Sequence, residues 1–245
     1  MKSIIHFLHD TPVWMLAIGF LLENLLIAGL TVLVGGGLVR IYSARRVTEV
    51  APPLTSLEMR LASTTVLLNS LVTLGGLLLW REGLIQFRAE IGWAMIVDFF
   101  VLVIVMDAAM YVLHRLAHIP LFFKMVHRTH HLYDNPRPLT LFVMNPIEAL
   151  SFGLLWLALL CVYDATWLGM ALYLAFNVAF GLIGHIGVEP FPDRWKDIPI
   201  LKYISTSSFH AGHHQDGAHN FGFYTLIWDR MFGTLEPQDT PLQKF

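Results

Sequence analysis

Five histidines crowd one short stretch, LHRLAHIPLFFKMVHRTHH at residues 113–131: His114, His118, His127, His130 and His131. His114 and His118 are four residues apart, so on a helix they leave one face and can share a metal ion. His127, His130 and His131 follow with the spacing H-x-x-H-H. The same spacing returns far down the chain in FHAGHH as His210, His213 and His214, and His185 stands between the two in GHIG. Neutral imidazole is the commonest protein ligand for transition metals. These nine histidines exceed the ~4 ligands of a closed tetrahedral zinc site, so two ions sharing them is the simplest arithmetic. An all-nitrogen donor set argues against magnesium and calcium, which take oxygen. The ligand types leave iron, copper, zinc and nickel open.

The elements that must position these residues are apolar. Residues 13–39, 61–80, 93–113, 147–163 and 166–184 each have the length and composition of a membrane-spanning helix, which needs roughly 20 apolar residues. The fourth and fifth form a hairpin that returns to its starting side, so His185 can rejoin the earlier histidines. The expected fold is therefore all-α: a polytopic membrane helical bundle under a histidine-rich, metal-binding cap. Asp107, Tyr111, His114 and His118 share one helical face. Asp107 can thus accept an imidazole N–H, or can simply tie Tyr111 to the bundle. Glu148 can do the same for a ligand, or can stabilise the start of its helix. Asp229 can orient a ligand, or can pair with Arg230. His219 lies outside the repeated spacing, either hydrogen-bonding near the ligands or without a role there. Glu23 and Asn24 interrupt the first span. Intramembrane polar groups usually face the bundle interior, here as a hydrogen-bonded pair or as participants in the reaction.

The three clusters between hydrophobic spans resemble those of the fatty acid hydroxylase / sterol desaturase superfamily. The resemblance is extended by Asp107-x-x-x-Tyr111-x-x-His114-Arg115, by Asn145-Pro146-Ile147-Glu148, and by Asn220-Phe221-Gly222 followed by Trp228 to Thr234. It covers roughly residues 95 to 236. It implies an integral-membrane enzyme with two iron ions in a non-haem di-iron centre and O2 as co-substrate. Such an enzyme hydroxylates or desaturates an unactivated C–H bond of a fatty acyl chain, sterol or isoprenoid lipid. It implies Asp107, Glu148 and Asp229 as orienting carboxylates at the catalytic centre. One departure is Gly181, four residues before His185, where some members carry another histidine; the set is then nine ligands, or a tenth comes from elsewhere, such as His219. The alternatives are a desaturase or isomerase on the same scaffold, or a non-enzymatic histidine-rich metal-binding or transport protein. Transporters hold their ions near mid-membrane, whereas these histidines sit at span ends or beyond, which favours an enzyme.

Composition sets further bounds. Hydrophobic residues make up 56% of the 245 and charged residues 14%, too apolar for a soluble domain. A formal charge of −2 offers no footprint for nucleic acid. The one cysteine, Cys161, excludes disulfides and cysteine-ligated iron–sulfur clusters. With no dinucleotide-binding glycine motif either, two external electrons must come from a separate electron-transfer protein or reductase. Arg115, Lys124, Arg128, Arg194, Lys196 and Lys202 offer either an acidic donor a complementary face or the membrane an anchor. The first apolar run is too long for a signal-peptide core and is expected to be retained. The organisation expected is membrane helices and loops over 1–92, a di-metal core over 93–236 and a tail over 237–245, as one integrated unit. Arginines at positions 40, 45, 46 and 60, with the cations from Arg115 onward, mark the histidine side as cytoplasmic, in an inner or plasma membrane. Trp14, Trp80, Trp93 and Trp167 mark the opposite interface. Five spans then leave the N-terminus outside, although members of the superfamily commonly look four-spanning with both ends cytoplasmic.

Overall fold

The computed structural model describes residues 2–237, apart from the side chains of residues 2–4 and 196. The expected tail beyond residue 237 and the side chain of Lys196 lie outside the described residues. A short amphipathic helix, α1 (Lys2–Asp10), precedes four long ones: α2 (Val13–Ile41), α3 (Ser56–Arg81), α4 (Trp93–Ala117) and, later in the chain, α8 (Trp167–Gly184). These four are long and apolar enough to cross a membrane, and α7 (Pro146–Val162) is a shorter apolar helix of 17 residues, ~25 Å at 1.5 Å per residue. Between α4 and α7 the chain makes a turn of helix α5 (Pro120–Phe122), a π-helical turn (Phe123–His127) and α6 (Arg128–His131). After α8 come α9 (Ser207–Gln215) and α10 (Ile227–Phe232).

Local sequence sets the helix ends. The Thr55 hydroxyl accepts from Glu58 N, and Glu58 Oε2 accepts from Thr55 N, so the start of α3 has a reciprocal cap. Asn145 and Thr166 cap α7 and α8 one way only, accepting from Ile147 N and Gly169 N, with Pro146 at the first position of α7, where its missing N–H costs nothing. The break between α7 and α8 falls at Tyr163–Thr166, as the Asp164-Ala165-Thr166 interruption predicts.

The helices form a closed ring in which α2 packs on α3, α3 on α7, α7 on α4, α4 on α8, and α8 back on α2. Its aromatic-rich core lies between α4, α7 and α8, around Leu102, Met106, Met110, Tyr173 and Tyr224. Gly76 lets α3 approach α7 closely: a Cβ there would stand 3.0 Å from Leu157. All five apolar helices share two ends. At the histidine end, Arg46 bridges to Val188 beyond α8, and Arg137 pairs with Glu58 at the start of α3. At the far end, buried Asp98 accepts from Arg88 at 2.7 Å, from the Tyr163 hydroxyl at 2.7 Å and from Thr166 N at 2.7 Å. Arg81 donates there to the carbonyls of Leu8 and Thr11, tying down α1. Because α2 is one unbroken helix, residue 13 lies at the opposite end from the histidines. Trp14 and Trp93 are exposed at that same far end.

Candidate metal centre

Four separate elements deliver the histidines to one end of the bundle. His114 projects from the last turn of α4 and His118 caps it. The π-helical turn ends on His127 and runs into α6, which carries His130 and His131. His185 caps α8. Thr206 caps α9, which holds His210, His213 and His214. A π-turn changes the angular register of a helix by one residue and recurs at functional sites.

The nine histidines divide into two groups. His114, His118, His127, His131 and His213 form one, and His130, His185, His210 and His214 form the other; within each, one nitrogen per residue lies within 4.8 Å of all the rest. The closest approaches are between Nε2 atoms: His114 to His127 at 3.0 Å, His118 to His213 at 3.1 Å, His130 to His214 at 3.0 Å and His185 to His210 at 3.3 Å. Nitrogens ~2.1 Å from a common ion stand ~3.0–3.4 Å apart, from simple right-angle or tetrahedral geometry.

The other ring nitrogens decide what those contacts are. Nδ1 of His114 donates to Phe221 O at 2.9 Å, Nδ1 of His185 to Gly181 O at 2.7 Å and Nδ1 of His213 to His219 O at 2.6 Å. A neutral imidazole that donates through Nδ1 presents a bare lone pair at Nε2. His127 is fixed the same way by a carboxylate, Glu148 Oε1, at 2.7 Å. His114 and His127 therefore aim two lone pairs at each other across 3.0 Å. That contact is repulsive without a cation between them, so the donor set fits a transition-metal ion in chemistry and in spacing. Burial keeps the imidazoles neutral. Loss of hydration, reinforced by neighbouring histidines, lowers His118 to about 3; loss of hydration lowers His131 to about 4. It holds His130, His210, His213 and His214 well below the ordinary value.

The carboxylates play different parts. Glu148 alone of the three expected ones touches a histidine ring. Asp107 instead accepts from Tyr224 N at 2.8 Å and Trp228 Nε1 at 3.0 Å, and from the Thr225 hydroxyl, so it fastens the segment before α10. Asp229, fully buried, accepts from Phe221 N at 2.8 Å, Gly222 N at 2.7 Å and the Thr234 hydroxyl at 2.7 Å. Burial outweighs these bonds and raises its carboxyl above the usual range. Asp229 thereby acts on His114 through the Phe221 peptide, a longer route than direct contact. It has no bond to Arg230 among the described residues.

His219 stays outside both groups: its ring meets Asp216 at 2.8 Å, and its carbonyl is what orients His213. At position 181 a Cβ would stand 2.7 Å from Leu141 Cδ1, so leucine fills the space a further histidine needs. The three orienting carbonyls escape sequence reading because any residue supplies one. Their setting leaves a trace at Asn220, whose φ of 62° is the only positive value at a non-glycine among the described residues. That backbone region favours asparagine and presents the next peptide to Asp229. A cavity of about 390 Å³, lined by His118, Pro120, Phe123, Lys124, His131 and Gly217, adjoins the five-histidine group.

The family described as fatty acid hydroxylase matches residues 99–234. A very-long-chain aldehyde decarbonylase of Oryza sativa is 34% identical over 140 residues, 55% of this chain and 23% of that protein. The Delta(7)-sterol 5(6)-desaturase of Leptosphaeria maculans is 25% identical over 56% of this chain and 36% of its own. The lathosterol oxidase of Mus musculus is 28% identical over 53% of this chain and 42% of its own. The matched segment thus spans less than half the length of each of these relatives. No solved structure matches the chain.

Proposed function

Because this chain belongs to the fatty acid hydroxylase family, we propose that it is a membrane-bound, O2-dependent oxidoreductase that hydroxylates or desaturates an unactivated C–H bond of a lipid. The observation that carries the reading is the pair of histidine groups with facing Nε2 lone pairs. In this reading both groups hold iron, and the two ions supply O2 activation and removal of hydrogen from carbon.

The protein's own part is to hold and orient. Glu148 and the carbonyls of Phe221, Gly181 and His219 fix four imidazoles in the tautomer that turns Nε2 inward. Burial of His127, His130, His185 and His213 keeps water from their edges. The substrate is an amphiphile. Ile119, Leu121, Phe122 and Met125 are exposed on the stretch that also carries the ligands, and such a stretch lies in the bilayer interface. A tail enters among the spans while the head stays near that interface. Arg115, Lys124, Arg128 and Arg194 are exposed, and they suit an acidic electron donor docking on the histidine face, which we place in the cytoplasm.

Lipid extracts test the reading. A strain lacking the gene, complemented with either the wild-type protein or His213→Ala, is compared with its parent. The expected result is one lipid that accumulates and one that disappears, restored by wild type and not by the variant. Identical lipids in all four strains would overturn it.

A further inference from the structure

The first span carries a carboxylic acid on the wrong side. Intramembrane polar groups usually turn inward, yet Glu23 is exposed on the outer surface of the ring. Its neighbour Asn24 returns its amide to Phe20 O at 2.9 Å, and no hydrogen bond or ion pair reaches Glu23 among the described residues. It stands four residues, ~6 Å, from the midpoint of the 29-residue helix α2. That depth is inside a hydrocarbon core ~30 Å thick. A carboxyl facing acyl chains has no water and no protein donor, so it needs a partner from outside this chain.

The residues around it define the shape of that partner. Gly19, Glu23, Leu26, Leu30, Leu33 and Gly37 follow alternating steps of four and three, the spacing of a coiled-coil seam. The seam points away from the bundle: Leu26, Leu30 and Leu33 are 62%, 49% and 71% exposed, whereas Leu16, Thr31 and Gly35 make the buried contacts of α2. A Cβ added at Gly19 or Gly37 would meet nothing within 4 Å. Both positions therefore let another backbone come close, one on each side of the acid.

We propose that this seam is the interface of a homodimer in which α2 pairs with α2 of a second copy and the two Glu23 carboxyls hydrogen-bond to each other. Two considerations select a second copy. Copies inserted in one membrane share an orientation, so their α2 helices run parallel and residue 23 comes opposite residue 23. A carboxylic acid that keeps or shares its proton is both donor and acceptor, so it complements itself across a two-fold axis. A single polar residue within an apolar seam fixes register and partner number. Glu23 lies in the half of α2 farther from the histidine end, and the pairing does not depend on what the metal centre does.

The test uses the full-length protein in native membranes with Cys161 replaced by serine. Oxidative cross-linking of Leu26→Cys and Leu30→Cys should give a species of twice the mass, and Leu25→Cys, on another face of α2, should give little. In lipid nanodiscs Glu23→Gln should keep the dimer, because an amide also complements itself, while Glu23→Ala should raise the dissociation constant at least tenfold. Retained metal content in Glu23→Ala would show that the fold survives. Equal cross-linking at positions 25 and 26, a monomer at all lipid dilutions, or cross-links from the seam only to a different protein would each overturn the proposal.

Discussion

Nδ1 of His127 lies 2.7 Å from Oε1 of Glu148, and both side chains are almost wholly buried. The remaining carboxyl oxygen of Glu148 is buried without a partner. The pair joins the start of α7 to the π-helical turn and fixes which nitrogen of His127 faces the other ligands. Glu148→Gln can keep a hydrogen bond but can accept it at a neutral oxygen only, and Glu148→Ala keeps nothing. Metal affinity should fall about 10- to 100-fold in the alanine variant and less in the glutamine variant, measured by competition with a chelator. Unchanged affinity in both would remove Glu148 from the centre.

Asp229 should behave as a positioning residue. Asp229→Ala strands the buried N–H groups of Phe221 and Gly222, at about 1–3 kcal/mol each. The thermal midpoint should drop, and metal should be lost from the five-histidine group through the displaced Phe221 carbonyl. Asp107→Ala should lower the midpoint with a smaller loss of metal, since its contacts are with Tyr224, Thr225 and Trp228. Unfolding curves and metal content measured on the same preparations separate the two.

Position 181 shows where sequence alone falls short. The histidine clusters, the five apolar helices and the break at residues 163–166 were legible, because spacing and hydropathy are local properties of the chain. The space beside His185 was not, because Leu141, far away in sequence, occupies it. The orienting carbonyls of Phe221, Gly181 and His219 were illegible for a similar reason, belonging to no residue type. The outward face of Glu23 depends on which side of α2 meets α3 and α8. Gly181→His should therefore add no ligand and destabilise by about 1–3 kcal/mol through overpacking. A gain in metal stoichiometry would contradict this.

Stability of the metal-free protein should fall on acidification. His118 and His131 titrate at about 3 and about 4 in the folded protein, against an ordinary value of 6.5. Between about 4 and 6.5 the unfolded chain therefore binds more protons than the folded one, and stability rises with pH across that window. Thermal midpoints of stripped protein at pH 5, 6 and 7 should increase in that order. A flat profile would mean that these histidines are not desolvated.

Orientation in the membrane is checked by single cysteines at positions 6 and 240 in a Cys161→Ser background, with an impermeant reagent on intact cells. Position 6 should label and position 240 should be protected. Protection at both would place the N-terminus on the histidine side, against the unbroken crossing of α2.

The most direct test of the metal centre is metal content after purification and iron reconstitution, read by elemental analysis and Mössbauer spectroscopy. Two groups of ligands predict two irons per chain, falling to about one in His213→Ala, from the five-histidine group, and to about one in His130→Ala, from the four-histidine group. Activity should be abolished in both. One iron or none in the wild-type protein, with both variants fully active, would contradict the account.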